Sequence, residues 1–172
     1  MAETEPRLSG VVCDAGPLLH LDELGCSDLL EDLRPVLVPQ AVWAEVERLR
    51  PQALTPVLEE VSHAVALPAE IEAVLRGLSL HEGERQALRW IAANPTLTLL
   101  TDDAAARLAA KALGWRVHGT VGILLRAARR GQREPSAILE ILRAIPHRST
   151  LHIKPSLLSE IIAEAARSWQ LA

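Results

Sequence analysis

The sequence predicts one α/β domain, a central parallel β-sheet flanked by helices on both faces. Three observations carry that expectation. Short apolar or β-branched runs ("GVVCDAG", "VLVP", "TLTLL", "WRV") alternate along the chain with segments of helical periodicity. Their junctions carry start or stop signals: Gly-Pro, Asn-Pro, or a capping Asp, Ser or Thr. The length of 172 residues suits a single domain, and 49% apolar against 23% charged residues is an ordinary globular balance. No internal repeat or low-complexity linker divides the chain.

Taken in order, Val11 to Asp14 read as a buried strand ended by Gly16-Pro17. Pro17 can open a helix because the first turn does not need its missing N–H, and Leu18, Leu21 and Leu24 continue a helical stripe. Ser27 and Asp28 mark a further helix start. Val36 to Pro39 form a second strand, followed by the helix "QAVWAEVERLR" with Val42 and Val46 on one side. Thr55 is expected to cap a helix running through Val65, and "PAEIEAVLRG" is another, closed by Gly77. A helix from about Glu82 to Ala93 stops at Asn94-Pro95, and "TLTLL" alternates as a strand. "TDDAAARLAAKALG" reads as a helix with Gly114 just past its end, "WRV" as a strand, and Thr120 as the cap of a helix ended by Gly131. Ser136 starts one more helix. "LHIKPSLLSEIIAEAARSW" closes the chain with a strand-like piece and an amphipathic helix. Its stripe of Leu157, Leu158, Ile161, Ile162 and Ala165 suits either the core or a partner contact.

Composition excludes several classes. Apolar runs of about six residues fall far short of the ~20 that cross a bilayer, so no membrane association is expected. "MAETEPRLSG" is acidic without an apolar core, unlike a signal peptide, and residues 1–9 are expected to be a flexible N-terminus. With two cysteines, one of them (Cys13) in a strand expected to be buried, a disulfide framework is not expected; a reducing cytoplasm is the simpler setting. No Cys/His spacing suits zinc. Phe and Tyr are absent, which leaves four Trp as the material for base stacking. The net charge of −4 hides a division: residues 1–103 hold 7 basic and 18 acidic residues, whereas 104–154 hold 10 basic against Glu134 and Glu140. Such asymmetry suits an anionic partner, although solvated helix faces produce it too.

Ligands of parallel sheets bind beyond the carboxyl ends of the strands. Asp14 ends the first strand, and Asp102 and Asp103 end a later one, so remote residues can converge on one rim. Glu45, beside Val42 and Val46, and Glu84, which shares the face of Ala87 and Leu88, are placed to add inward carboxylates, while Glu47 and Glu82 fall on outer sides. Each residue also has a plain structural role available: a helix cap for Asp102 or Asp103, a turn for Asp14, solvation for the glutamates. Two like charges ~4 Å apart repel by about 4 kcal/mol at an effective dielectric of 20. A convergent cluster therefore needs protons or a cation. Oxygen-only donors favour Mg²⁺ or Mn²⁺, the usual equipment for cutting phosphodiesters.

The segments "VVCDAGPLLHLDELG", "VLVPQAVWAEV", "LHEGERQAL", "LLTDDAAARLAAKALGWRVHGTVGILLRAARRG" and "IPHRSTLHIKPSLLSEII", in this order and spacing, resemble a PIN domain, and most closely the bacterial PIN-like proteins related to VapC toxins. The resemblance spans residues 10 to about 165, and residues 10–172 are then one PIN-like domain including the C-terminal helix. It implies a Mg²⁺- or Mn²⁺-dependent endoribonuclease, the toxin of a toxin–antitoxin pair, with an RNA substrate, an antitoxin protein partner and a homodimeric state. Carried over position by position, it makes Asp14, Glu45, Glu84 and Asp103 catalytic, with Asp102 second to Asp103 and Thr101 as the small hydroxyl residue of that stretch. Asp14, Glu84, Asp103 and Asp102 are the implied metal ligands. One departure stands out: many members place Ser or Thr two residues after the first aspartate, where this chain has Gly16.

A ribonuclease also needs cations to offset its own carboxylates. Arg107, one turn beyond Asp103, and the group Arg126, Arg129, Arg130 and Arg133 are expected to line the RNA path. The competing class is a catalytically weakened PIN-like domain that binds RNA or protein as a regulatory module, which the Ala15-Gly16 departure motivates. An aspartyl-phosphate enzyme needs an Asp-x-Asp or an acidic pair after the first strand, and "CDAG" has neither.

Overall fold

In the computed structural model, which describes residues 8–62 and 66–171, five strands form one sheet in the order β3-β2-β1-β4-β5. They are β1 (Val11–Cys13), β2 (Val36–Pro39), β3 (Leu58–Val61), β4 (Thr98–Leu100) and β5 (Val117–His118), and every neighbouring pair is parallel. The chain runs outward from β1 to β3, returns to lay β4 on the other side of β1, and continues to β5. The strand order thus reverses between β1 and β4, which pair Val11 to Thr98 and Cys13 to Leu100. Such a reversal opens a crevice at the carboxyl ends, because the two flanking connections leave in opposite directions.

Helices α1 (Ala15–Glu23), α2 (Gln40–Leu49), α3 (Ala69–Arg76), α4 (Glu82–Ala93), α5 (Ala104–Ala112), α6 (Thr120–Arg129), α7 (Pro135–Arg148) and α8 (Pro155–Ser168) cover both faces. Val11, Val12 and Cys13 are fully buried, as a strand sandwiched between helical layers requires. Alternation splits them: Val11 and Cys13 join the core built with Leu18, Leu21, Leu124 and Leu142, while Val12 and Leu99 join Leu88, Ile91, Ala106 and Ala110.

Four sequence expectations need correction. The helix expected from Thr55 is the edge strand β3, in which Leu58 is buried while Glu59 and Glu60 face solvent; pairing along all of β2 outweighs the local pattern. Its expected end, Val65, lies outside the described residues, as do residues 1–7 of the expected N-terminal tail. The segment "LHIK" forms no strand, the helix start at Ser27 is a 3₁₀ segment to Leu33, and Thr120 is the first residue of α6, with Gly119 at the cap. In α8, Leu158 and Ala165 enter the core, Ile161 and Ile162 pack against it half-buried, and Leu157 is exposed.

Candidate active site

Asp14 follows β1 directly, and its amide donates to Leu100 O of β4 at 2.9 Å, which holds the two strand ends level. The Asp14 side chain is 6% exposed and accepts from the Thr101 hydroxyl at 2.9 Å. Thr101 in turn accepts from the Asp103 amide at 3.2 Å, so one buried hydroxyl sets both aspartates. Asp103 caps α5, its Oδ1 accepting from the Ala106 amide at 2.7 Å. The capping role and a place in the cleft are both filled by this residue.

The glutamates arrive on helices whose packing is fixed elsewhere. Buried Gln86 of α4 accepts from the Ala41 amide at the start of α2 at 3.0 Å, locking the two helices together. Gly83 permits their close approach: a Cβ there would lie 3.1 Å from Val42 Cγ2 and 3.5 Å from Glu45 Oε2. Glu45 and Glu84 are consequently half-buried in the same cleft, and Glu84 Oε2 accepts from the His81 amide at 2.8 Å. Glu47 and Glu82 point outward, as their helical positions predict.

Asp14, Glu45, Glu84, Asp102 and Asp103 all line one cavity of about 290 Å³. Burial pushes the Asp14 carboxyl up to about 6, against hydrogen bonds from Ala15 and Thr101, with the charges of Glu84 and Glu45 adding to the rise. Burial also raises Glu84, opposed by the His81 amide and reinforced by Asp103 and Glu45. These carboxylates feel one another.

Asp102 is different. Its Oδ1 accepts from the Thr120 amide at 2.7 Å, and its Oδ2 from the Thr120 hydroxyl at 2.6 Å, with His20 Nδ1 2.8 Å away. Burial alone would raise this carboxyl, but those hydrogen bonds hold it below its ordinary value. With both oxygens occupied, Asp102 fastens α1 to the start of α6 and lines the cavity from behind.

A family model for a PIN domain matches residues 10–167. The chain belongs to the PIN domain family. No curated protein and no solved structure matches it. PIN domains are generally nucleases and typically use divalent metals.

The donors of this PIN domain suit a hard cation: oxygen ligands on several elements, two of them with raised affinity for protons. Among the described residues, however, no three His, Cys, Asp or Glu side chains close on a common point. The implied ligands Asp14, Glu84, Asp103 and Asp102 thus share one cavity without closing on one point. The reason is local: Glu84 is turned to the His81 amide and Asp103 to the Ala106 amide. At Gly16, a Cβ would meet Asp102 Oδ2 and His20 Cε1, each at 3.6 Å. The His20–Asp102 pair occupies that flank of the PIN domain's cleft.

The basic residues separate. Arg107 donates from Nη1 to Thr101 O at 3.2 Å and stands beside the cleft. Arg126 does not: it is 2% exposed, with Nη2 3.3 Å from Asp32. Arg130 also pairs with Asp32, at 2.8 Å, and Arg133 with Asp28. The expectation that Arg126 and Arg130 hold RNA is corrected, since their guanidiniums secure α6 to the 3₁₀ segment. Arg129 is exposed but borders a different cavity, against α8. His20, His81 and His152 also line the acidic cavity and were missed. His20 was legible in part, six residues after Asp14 on the following helix; His152 had no local signal, being brought there by the chain between α7 and α8.

Proposed function

We propose that this PIN domain is a metal-dependent endoribonuclease that hydrolyses RNA phosphodiesters, and that it serves as the toxin of a toxin–antitoxin pair. One observation carries the nuclease reading: four carboxylates from separate elements (Asp14, Glu45, Glu84 and Asp103) line one cavity at the strand-order reversal, with Asp14 held near a pKa of about 6. Asp14, Glu84 and Asp103 would hold the ion, Mg²⁺ or Mn²⁺, which supplies Lewis acidity toward the scissile phosphate and its attacking water. Thr101 orients Asp14 through its hydroxyl and Asp103 through its amide. Glu45 is placed to accept a proton at the cleft's α2 side. Arg107 offsets the carboxylates' repulsion of the incoming polyanion.

Purified protein should cleave pooled RNA with Mg²⁺ or Mn²⁺, lose that activity in EDTA, and lose it in Asp14→Asn while the fold persists. A metal-independent cut, or an Asp14→Asn variant as active as the parent, would sink the reading; RNA binding without cleavage would favour the regulatory-module alternative. The toxin role, the antitoxin partner and the homodimer rest on the sequence resemblance. A small DNA-binding protein encoded immediately upstream, whose co-expression blocks cleavage, supports the toxin role; cleavage unaffected by any such neighbour counts against it. A cytoplasmic setting is consistent with two free, buried thiols, Cys13 and Cys26.

A further inference from the structure

Helices α7 and α8 are joined by residues 149–154, which form neither helix nor strand. This short piece of chain walls the cleft on one side. Thr150, Leu151 and His152 line the acidic cavity. Leu151, His152 and Ile153 line a second cavity, of about 300 Å³, which shares Asp102 with the first and is bordered by Arg107.

Little in the linker holds itself in place. Leu151 and Ile153 pack half-buried on the core, while Thr150 and His152 are exposed. Among the described residues, residues 150–153 make no backbone–backbone hydrogen bond. Glu23, the last residue of α1, supplies partners from outside. Its Oε2 accepts from the Thr150 amide at 2.7 Å and from the Ser149 hydroxyl at 2.8 Å, and its Oε1 accepts from the Thr150 hydroxyl at 2.9 Å. Ser149 Oγ accepts in turn from the Leu151 amide at 3.1 Å, which carries the tie one residue further. Burial would raise the Glu23 carboxyl, yet the bonds from Thr150 and Ser149, with the charge of His20, hold it below its ordinary value. The linker is therefore tied to a carboxylate, a stronger acceptor than the acid.

The other end of α1 belongs to the site. Asp14 caps this helix, and Ala15, Gly16 and His20 on it line the acidic cavity. Nine helical residues make a bar about 13 Å long. One end of that bar carries the Asp14 carboxylate and the other carries the tie.

We propose that Glu23 is a positioning residue of the cleft: by clamping residues 149–154 to the end of α1, it sets where that wall stands relative to Asp14, and so how firmly the cleft holds what enters it. The assignment rests on the ribonuclease reading above and adds a residue that acts through the wall. Asp14, Glu45, Glu84 and Asp103 all lie outside the linker, so loosening it leaves them in place and weakens substrate binding more than turnover.

The test makes Glu23→Ala, Glu23→Gln, Thr150→Val and the double variant Glu23→Ala/Thr150→Val in the full chain. Amide hydrogen exchange of a peptide spanning 149–154, read by mass spectrometry without metal or RNA, should quicken roughly tenfold in Glu23→Ala, while peptides from β1 and β4 keep their wild-type rates. Cleavage of pooled RNA with Mn²⁺ should show KM raised roughly fivefold and kcat changed less than about twofold. Glu23→Gln, which keeps one acceptor oxygen, should fall between, and the double variant should be no worse than Glu23→Ala, since both changes cut the same tie. Should Glu23→Ala unfold the chain, Thr150→Val carries the test. Exchange in 149–154 at the wild-type rate in every folded variant overturns the clamp. Faster exchange with KM unmoved, or with kcat lost instead, overturns the positioning role while the ribonuclease reading stands. If wild type cleaves no RNA with Mg²⁺ or Mn²⁺, that reading falls and the positioning role falls with it, whatever the exchange shows.

Discussion

Asp14 concentrates the conflict on which the site is built. Its native pKa of about 6 lies above its ordinary 3.8, so between those values the folded protein holds the proton more tightly than the unfolded chain. Stability therefore falls as pH rises through that window, and the penalty is fully present above about pH 6. Asp14→Asn removes it. Melting at about pH 7.5 should show the variant roughly 1–3 kcal/mol more stable than wild type, and nearly equal to it at about pH 4. Equal melting temperatures at the higher pH would contradict this account of Asp14. Millimolar Mg²⁺ should raise the wild-type melting temperature and leave Asp14→Asn nearly unmoved, because a ligand of the folded state alone stabilises it by mass action. A wild-type midpoint indifferent to the ion would argue against a carboxylate-held metal.

Among the elements, α6 shows how charge that looks available is spent internally. Its Arg126 and the capping Arg130 just after it reach across to Asp32 in the 3₁₀ segment Ser27–Leu33, and its first residue, Thr120, is gripped by Asp102. The helix is thereby pinned at both ends, one end forming the floor of the cleft. Removing one partner of a buried pair is costly, since the other charge is left without solvent or compensation. Asp32→Ala should lower unfolding stability by about 3–5 kcal/mol in urea titrations. A loss below about 1 kcal/mol would mean that the pair behaves as a solvated surface contact. The strand β3 teaches a related lesson: a segment with helical residues becomes a strand when a neighbouring edge offers a full set of backbone partners.

For the molecule as a whole, the division of charge along the sequence is largely folded away. Of Arg107, Arg126, Arg129 and Arg130, Arg107 alone lines either cleft cavity. The affinity of the Asp14→Asn protein for single-stranded RNA should then fall with salt at a log–log slope of about −1, against about −3 if four arginines each neutralised a phosphate. A slope near −3 in anisotropy titrations would return the other arginines to the RNA path.

Local pattern was enough to place β1, β4 and α4, and to put Asp14 and the Asp102–Asp103 pair at carboxyl ends of parallel strands, because alternation, caps and breakers act over a few residues. It was also enough to point Glu45 and Glu84 inward, since helical spacing ties them to Val46 and Leu88. Which arginines are consumed by Asp32 and Asp28, and which residues occupy both oxygens of Asp102, were questions of proximity between remote parts of the chain, as the 82-residue separation of His20 and Asp102 illustrates. Side-chain chemistry is written residue by residue, but the partner that neutralises, orients or leaves free each charge is chosen by how the layers pack.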